Sequence, residues 1–275
     1  MKHRYGIVAN PEIPHTLEIS RKVVEFFGGD IVVESALFEA MRKEDPSISL
    51  DTVVLHEMEA ETIITVGGDG TILKTVQNTR GRILGINTGN LGFMAEVRPE
   101  QVEDALRRLE SGDYTLEKRM RLRAELNGKR LPDSVNEAVM HTDRVAKIRN
   151  FRVEIDGVFV EEMRADGLII STPTGSTCYS MSVGGPIVDP RVSAFVLVSI
   201  AAFTRHIRRP LVVPAASRIK VTFPHHKSIL LVLDGQEEFN LKGDEVLEFT
   251  EAERPAEFIR MYSDFYSNLR KKIQG

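Results

Sequence analysis

The segment TIITVGGDGTILKT, residues 62–75, restricts the fold more than any other stretch of the sequence. A short β-branched run enters three glycines wrapped around Asp69 and leaves as a helix pattern. This predicts a strand, a tight turn and a helix, with the turn at the carboxyl edge of a parallel sheet. The surrounding chain reads the same way. RYGIVAN is a strand, TLEISRKVVEFFGG a helix with a glycine stop, and DIVVES and RILGI are short buried strands. PEQVEDALRRLESGD is a helix that opens on proline and ends before Gly112. The alternation predicts a doubly wound α/β domain over residues 1–112, carrying the GGDGT loop.

The pattern changes at Tyr114. TLEKRMRLRAEL, NGKRL, KIRNFRVEIDGVFVEEM, AFVLVSIAAF, RIKVTF, SILLVLDG and EVLEFTEA are strand-like, with DG as a hairpin turn. An all-β, sandwich-like domain is expected over 113–253. The tail 254–275 contains SDFYSNLRKKIQG, an amphipathic helix with a Ser263–Asp264 cap that is expected to return to the first domain.

Composition narrows the function classes. A formal net charge of −4 gives no reason to expect nucleic acid or an acidic membrane surface as partner. One cysteine, Cys178, excludes an intramolecular disulfide framework and fits a reducing cytoplasm. The apolar run behind MKHRYGIVAN is too short for a signal peptide, and AFVLVSIAAF is far shorter than the roughly 20 residues that span a bilayer. A cytoplasmic protein without a membrane partner is the expectation.

Gly67, Gly68 and Gly70 strip side chains from a turn whose free N–H groups and helix dipole suit a phosphate. The pattern is neither GxGxxG nor GxxxxGK[ST], so neither the dinucleotide fingerprint nor the P-loop applies. Asp69 would repel a polyphosphate there. A divalent metal could bridge carboxylate and phosphate, or Asp69 could take the proton of a hydroxyl that attacks phosphorus. The alternative is an ordinary helix cap.

A second dense stretch, RADGLIISTPTGSTCYSMSVGGP at 164–186, tips the choice toward chemistry. Its short hydroxyls offer donors and acceptors of the kind that ribose and adenine edges require, although a turn-rich β connection has the same composition. Asp166 and Tyr179 are large enough to reach a ligand. There is no GxSxG, so no serine-hydrolase elbow, and Cys178 reads as a small packed residue. GINTGNLGFMAE adds Asn87, Thr88 and Phe93 after the next strand. VNEAVM places Asn136 beside Glu137; neighbours in a strand face opposite sides, so both reach one ligand only at a strand end or bend. No His pair or Cys cluster has metal-ligand spacing, so a metal is expected to arrive with phosphates.

GGDGT at 67–71, NTGNLGF at 87–93, NE at 136–137 and DGLIISTPTGSTCYSMSVGGP at 166–186 resemble, in this order, the NAD kinase family. LDGQ at 233–236 and RRPLVVP also fit, so the resemblance covers nearly the whole chain. GGDGT alone is shared with diacylglycerol and sphingosine kinases; the 166–186 stretch is far more specific. The resemblance implies phosphorylation of the adenosine 2′-hydroxyl of NAD by ATP or inorganic polyphosphate, giving NADP, with Mg²⁺ or Mn²⁺. It implies that Asp69 is the base, and that Gly67, Gly68, Gly70, Thr71 and Asn87 hold the phosphoryl donor. It implies that Asn136 and Glu137 hold the adenosine ribose and that Thr177, Cys178 and Tyr179 line the adenine. Asp166 and Arg164 match the nicotinamide side, while Gly68, Gly70, Phe93, Thr174, Ser182 and Gln236 complete the NAD contacts. In the family a neighbouring subunit completes the nicotinamide end, which implies a homo-oligomer, dimer or tetramer. Two departures stand out: Ile72 where many members have Phe, and Phe203 where many bacterial members have His.

Two other readings compete. A lipid kinase with the same glycine motif would need an apolar tunnel and a route to a membrane, and no amphipathic anchor or basic stripe is evident. A non-catalytic NAD-sensing module would gain nothing from a carboxylate beside phosphate.

Overall fold

The computed structural model describes residues 3–89, 92–144, 147–203, 209–225, 227–262 and 265–274. Asn90 and Leu91 of NTGNLGF, and the expected Ser263–Asp264 cap, lie outside the described residues. The chain divides into two compact units, 1–118 with 256–275, and 119–255.

The first unit alternates β1 (His3–Ala9), α1 (Thr16–Phe27), β2 (Ile31–Glu34), α2 (Ser35–Glu44), β3 (Thr52–Val53), β4 (Ala60–Gly67), α3 (Asp69–Asn78), β5 (Arg82–Asn87), α4 (Val102–Ser111) and β6 (Thr115–Arg119). In β2, β4 and β5 nearly every residue is buried, which is why their sequences are unbroken apolar runs rather than alternating ones. Ile7, Val33, Ile64, Val66, Leu84 and Ile86 meet Ile19 and Val23 of α1, Leu37 and Met41 of α2, and Val102, Leu106 and Leu109 of α4 in one core. Each such side chain contributes roughly 1.5–3 kcal/mol relative to exposure. Helix α4 stops at Gly112, whose φ of 76° is the left-handed C-cap that glycine adopts without strain.

The structure corrects two readings. TLEKRMRLRAEL is not one strand: β6 is an edge strand of the first sheet, whereas β7 (Leu122–Leu126) belongs to the second unit. Strand β6 is largely exposed, so it carries no apolar pattern that would assign it. The tail is not helix alone. A strand (Ala256–Arg260) lies between β5 and β6, completing the order β3-β2-β1-β4-β5-(256–260)-β6, and a helix (Phe265–Gln274) follows it.

The second unit holds β7, β8 (Lys129–Arg130), β9 (Glu137–Thr142), β10 (Arg149–Ile155), β11 (Val158–Ala165), β12 (Gly167–Ser171) and a short α5 (Tyr179–Ser182). It continues with β13 (Ala194–Ile200), β14 (Leu211–Pro214), β15 (Ile219–Thr222), β16 (Ile229–Leu233), β17 (Glu237–Leu241) and β18 (Val246–Glu251). The strand 256–260 and the final helix are therefore β19 and α6. Two antiparallel sheets form, in the orders β11-β10-β15-β18-β7-β8 and β14-β13-β12-β9-β16-β17. Phe151, Val221 and Phe249 of the first pack with Met140, Ile170, Phe195 and Leu231 of the second in one core. The alternate residues Val139, Ile169, Val196 and Val198 of the second sheet are also buried, against Val183 and Val188. Asn127–Gly128, Asp156–Gly157 and Asp234–Gly235 turn with positive φ, as tight hairpins require. The chain is an α/β domain joined to an all-β sandwich.

Candidate functional site

The glycine loop sits where expected, between β4 and α3, but its glycines do different work. Gly67 has φ 153°, and a Cβ there would meet Thr71 Oγ1 at 2.6 Å, so the fold itself needs glycine. A Cβ on Gly68 or Gly70 would meet nothing within 4 Å among the described residues, and neither residue has the left-handed φ that favours glycine. Their missing side chains relieve no contact among the described residues. They leave room for an occupant at the N-terminus of α3, where unpaired N–H groups and the helix dipole favour an anion.

Asp69, the first residue of α3, does not act as the helix cap; the N-cap is Gly68, with no side-chain bond. Its carboxylate turns to the segment after β5. Oδ2 accepts the Phe93 N–H at 2.9 Å, and Oδ1 accepts those of Met94 at 3.2 Å and Ala95 at 3.4 Å. A carboxylate has about four acceptor positions, so these three bonds fix its orientation and leave capacity for a hydroxyl. Gly92, which the sequence reading passed over, makes this possible: a Cβ there would lie 2.0 Å from Asp69 Oδ1. Asn87, at the end of β5 and 3% exposed, accepts the Gly89 N–H at 2.9 Å through Oδ1. The Thr88 hydroxyl is buried without a partner among the described residues. Phe93 is buried, with its ring 6.5 Å from that of Phe265.

In the second unit, Asn136 and Glu137 stand where β9 begins, so their side chains escape the strict alternation of a strand. Both residues are buried, and Asn136 Oδ1 and Glu137 Oε2 have no hydrogen-bond partner among the described residues. Buried polar atoms without partners are costly, and at these two a ligand's hydroxyl groups could complete the bonding. Burial, with the nearby charge of Asp234 second, pushes the Glu137 carboxyl up to about 8. The turn after β12 closes tightly over Asn136, because a Cβ on Gly175 would lie 2.2 Å from the Asn136 carbonyl oxygen.

The hydroxyl-rich stretch is largely occupied with itself. Thr172 Oγ1 donates to the Val135 carbonyl at 2.6 Å, Ser176 Oγ to Pro173 at 2.6 Å, and Thr177 Oγ1 to Thr174 at 3.2 Å. Thr174 and Thr177 are buried, Cys178 is half-buried, and Tyr179 is 40% exposed at the start of α5. Ser182 and Gln236 are exposed. Asp166 is part-buried, its N–H bonded to the Ile200 carbonyl at 3.0 Å. Arg164 is exposed and packs its guanidinium 5.7 Å from the ring centre of Phe203, which is itself 70% exposed. Residues 204–208, with His206, lie outside the described residues. Among the described residues no group of three or more His, Cys, Asp or Glu side chains could hold a metal ion. No described helix is long and apolar enough to cross a membrane.

Comparison with known proteins identifies the family. Residues 5–114 match the family model for the ATP-NAD kinase N-terminal domain, and residues 135–261 match that for the ATP-NAD kinase C-terminal domain. An NAD kinase of Methanothermobacter thermautotrophicus is 42% identical, covering 98% of this chain and 96% of that protein. Among solved structures, an NAD kinase from Archaeoglobus fulgidus in complex with ATP is 27% identical with a TM-score of 0.77, covering 98% of each chain. Yeast NADH kinase complexed with NADH has the same fold, at TM-score 0.90 and 23% identity, over 99% of this chain and 87% of its own. With both units matched and a relative this similar along almost its full length, the chain belongs to the NAD kinase family of phosphotransferases.

Proposed function

We propose that the enzyme transfers a phosphoryl group from ATP or inorganic polyphosphate to the adenosine 2′-hydroxyl of NAD, giving NADP. With ATP, the 2′-oxygen bonds to the terminal phosphorus as the bridging P–O bond breaks, and ADP leaves. The hydroxyl proton passes to Asp69 and then to solvent. The observation that carries this reading is the Asp69 carboxylate, turned away from its own helix and held by the N–H groups of Phe93, Met94 and Ala95 beside two open glycines. A helix cap needs no such arrangement. A positioned base contributes about 10²–10⁴-fold, because an alkyl hydroxyl is too weak an acid to ionise near neutral pH.

Gly67, Gly68, Gly70, Thr71 and Asn87 hold the donor. Asn136 and Glu137 hold the adenosine ribose, supported by their unpartnered buried oxygens. Thr177, Cys178 and Tyr179 line the adenine, and Arg164 and Asp166 serve the nicotinamide side. Phe93, Thr174, Ser182 and Gln236 complete the NAD contacts. A divalent metal, Mg²⁺ or Mn²⁺, enters with the donor's phosphates as part of that substrate. The reading places the enzyme in the cytoplasm as a homo-oligomer, dimer or tetramer.

Incubation with ATP, Mg²⁺ and NAD, followed by assay for NADP, tests the reaction; absence of NADP with active protein overturns it. Dilution below the assembly constant tests the oligomer by lowering NAD affinity and activity together. A fully active monomer rules that part out.

A further inference from the structure

Asp234 has no place in the site as assigned above. LDG reads as a hairpin turn, and Asp234 does adopt the left-handed conformation, at φ 52°, between β16 and β17. A turn residue of that kind is normally solvated. Asp234 is instead 4% exposed, and its whole carboxylate is committed to one short run of backbone. Oδ2 accepts the Val135 N–H at 2.7 Å, while Oδ1 accepts those of Asn136 at 2.8 Å and Glu137 at 3.1 Å. The Asp234 N–H returns a bond to the Glu137 carbonyl at 3.0 Å. A buried carboxylate is costly unless it is hydrogen-bonded, and these three N–H groups bond both of its oxygens. The run they come from ends in Asn136 and Glu137, whose Oδ1 and Oε2 respectively have no partner among the described residues.

We propose that Asp234 is a positioning residue for NAD, gripping the backbone of Val135–Glu137 so that Asn136 and Glu137 present their side chains in a fixed direction. The proposal rests on the reading that this pair holds the adenosine ribose. The grip has an electrostatic consequence. The Glu137 N–H bonds the Asp234 carboxylate, and burial together with that nearby charge pushes the Glu137 carboxyl up to about 8. Asp234 is raised to about 6 by burial, opposed by its N–H bonds and by the Arg121 guanidinium. Arg121 in turn faces Asp133 and Arg130. Near pH 7 Asp234 is therefore ionised and Glu137 neutral. A neutral ribose laid over Glu137 removes its remaining water and so favours the uncharged acid. NAD affinity falls as pH rises through about 8.

The test compares Asp234→Asn, Glu137→Gln and Asn136→Ala with the parent enzyme. NAD dissociation constants are measured from pH 6 to 9, alongside kcat, the KM for each substrate and thermal midpoints. Asn tolerates the left-handed turn, so Asp234→Asn keeps the hairpin while removing the charge and at least one acceptor. The expected result is an NAD dissociation constant raised about tenfold at pH 7 with the KM for ATP little changed, as for loss of about one buried hydrogen bond. The pH step in affinity should move to lower pH in Asp234→Asn and vanish in Glu137→Gln. Unchanged NAD affinity and an unmoved step in Asp234→Asn overturn the proposal, and Asn136→Ala then shows separately whether the ribose assignment stands. A weaker NAD complex with a lowered thermal midpoint but an unmoved step marks a purely structural role and also overturns it. If Asn136→Ala leaves NAD binding intact, the ribose reading and this proposal fall together.

Discussion

A Cβ on Gly92 would lie 2.0 Å from Asp69 Oδ1, so the bare backbone of residue 92 is what admits the Asp69 carboxylate to the N–H groups beyond it. Gly92 does not have the left-handed φ at which a side chain strains the backbone, so a substitution there acts on its neighbour rather than on its own conformation. Gly92→Ala should push the carboxylate aside and lower kcat by about 10–10²-fold, since misplacement of about 1 Å costs that much. The thermal midpoint should change by only a few degrees. Steady-state kinetics with a melting curve checks this; wild-type kcat would contradict it.

Asp69→Asn removes the proton acceptor and turns an amide N–H₂ toward at least one of the three backbone donors. Turnover should fall by about 10²–10⁴-fold while the fold and NAD binding persist. Calorimetric NAD titration beside a turnover assay separates the two, and near-normal turnover would leave Asp69 a structural residue.

The loop glycines should divide by role. Gly67→Ala meets both a strained φ and Thr71 Oγ1, and is expected to destabilise by about 1–3 kcal/mol. Gly68→Ala and Gly70→Ala meet nothing within 4 Å among the described residues, so they should fold normally and raise the KM for the phosphoryl donor. Chemical denaturation and donor titration of the three variants test the division. A Gly70→Ala enzyme with unchanged donor KM would remove that glycine from the phosphate site.

Glu137 makes stability depend on pH in a defined direction. Its folded-state value is raised from 4.5 to about 8, so between those values the native state binds more protons than the unfolded chain. Stability therefore falls as pH rises through that window, by at most about 1.4 kcal/mol per pH unit, and levels off above it. Asp234, raised from 3.8 to about 6, adds the same sign over its lower window. Glu137→Gln should flatten the fall between pH 6 and 8 and raise the thermal midpoint at pH 8. Melting curves across pH check it; a Glu137→Gln profile parallel to the parent would show that Glu137 is not held neutral.

The buried strands were legible because parallel strands covered on both faces must be unbroken apolar runs, as in ETIITVG and RILGIN. The end of α4 was legible because Gly112 is a local signal. The division of TLEKRMRLRAEL was not, since an exposed edge strand carries no apolar period. The roles of Gly92 and Asp234 were not legible because their partners are distant in the chain: Asp234 bonds Asn136 across 98 positions while looking locally like a turn. The hydroxyl density at 171–177 was visible, but composition does not distinguish hydroxyls that bind a ligand from those, such as Thr172 and Ser176, that tie the turn to its own carbonyls.

Strand β19 enters the first sheet between β5 and β6, after the whole of the second unit has been traversed. During synthesis, β5 and β6 therefore emerge long before the strand that separates them, and must stay apart until it arrives. The sandwich 119–255 is continuous in sequence and can close first, whereas the α/β unit waits until residues 256–260 have left the ribosome. Release of the chain before residue 256 would leave β5 with an open apolar edge, which is a template for aggregation rather than a shorter enzyme.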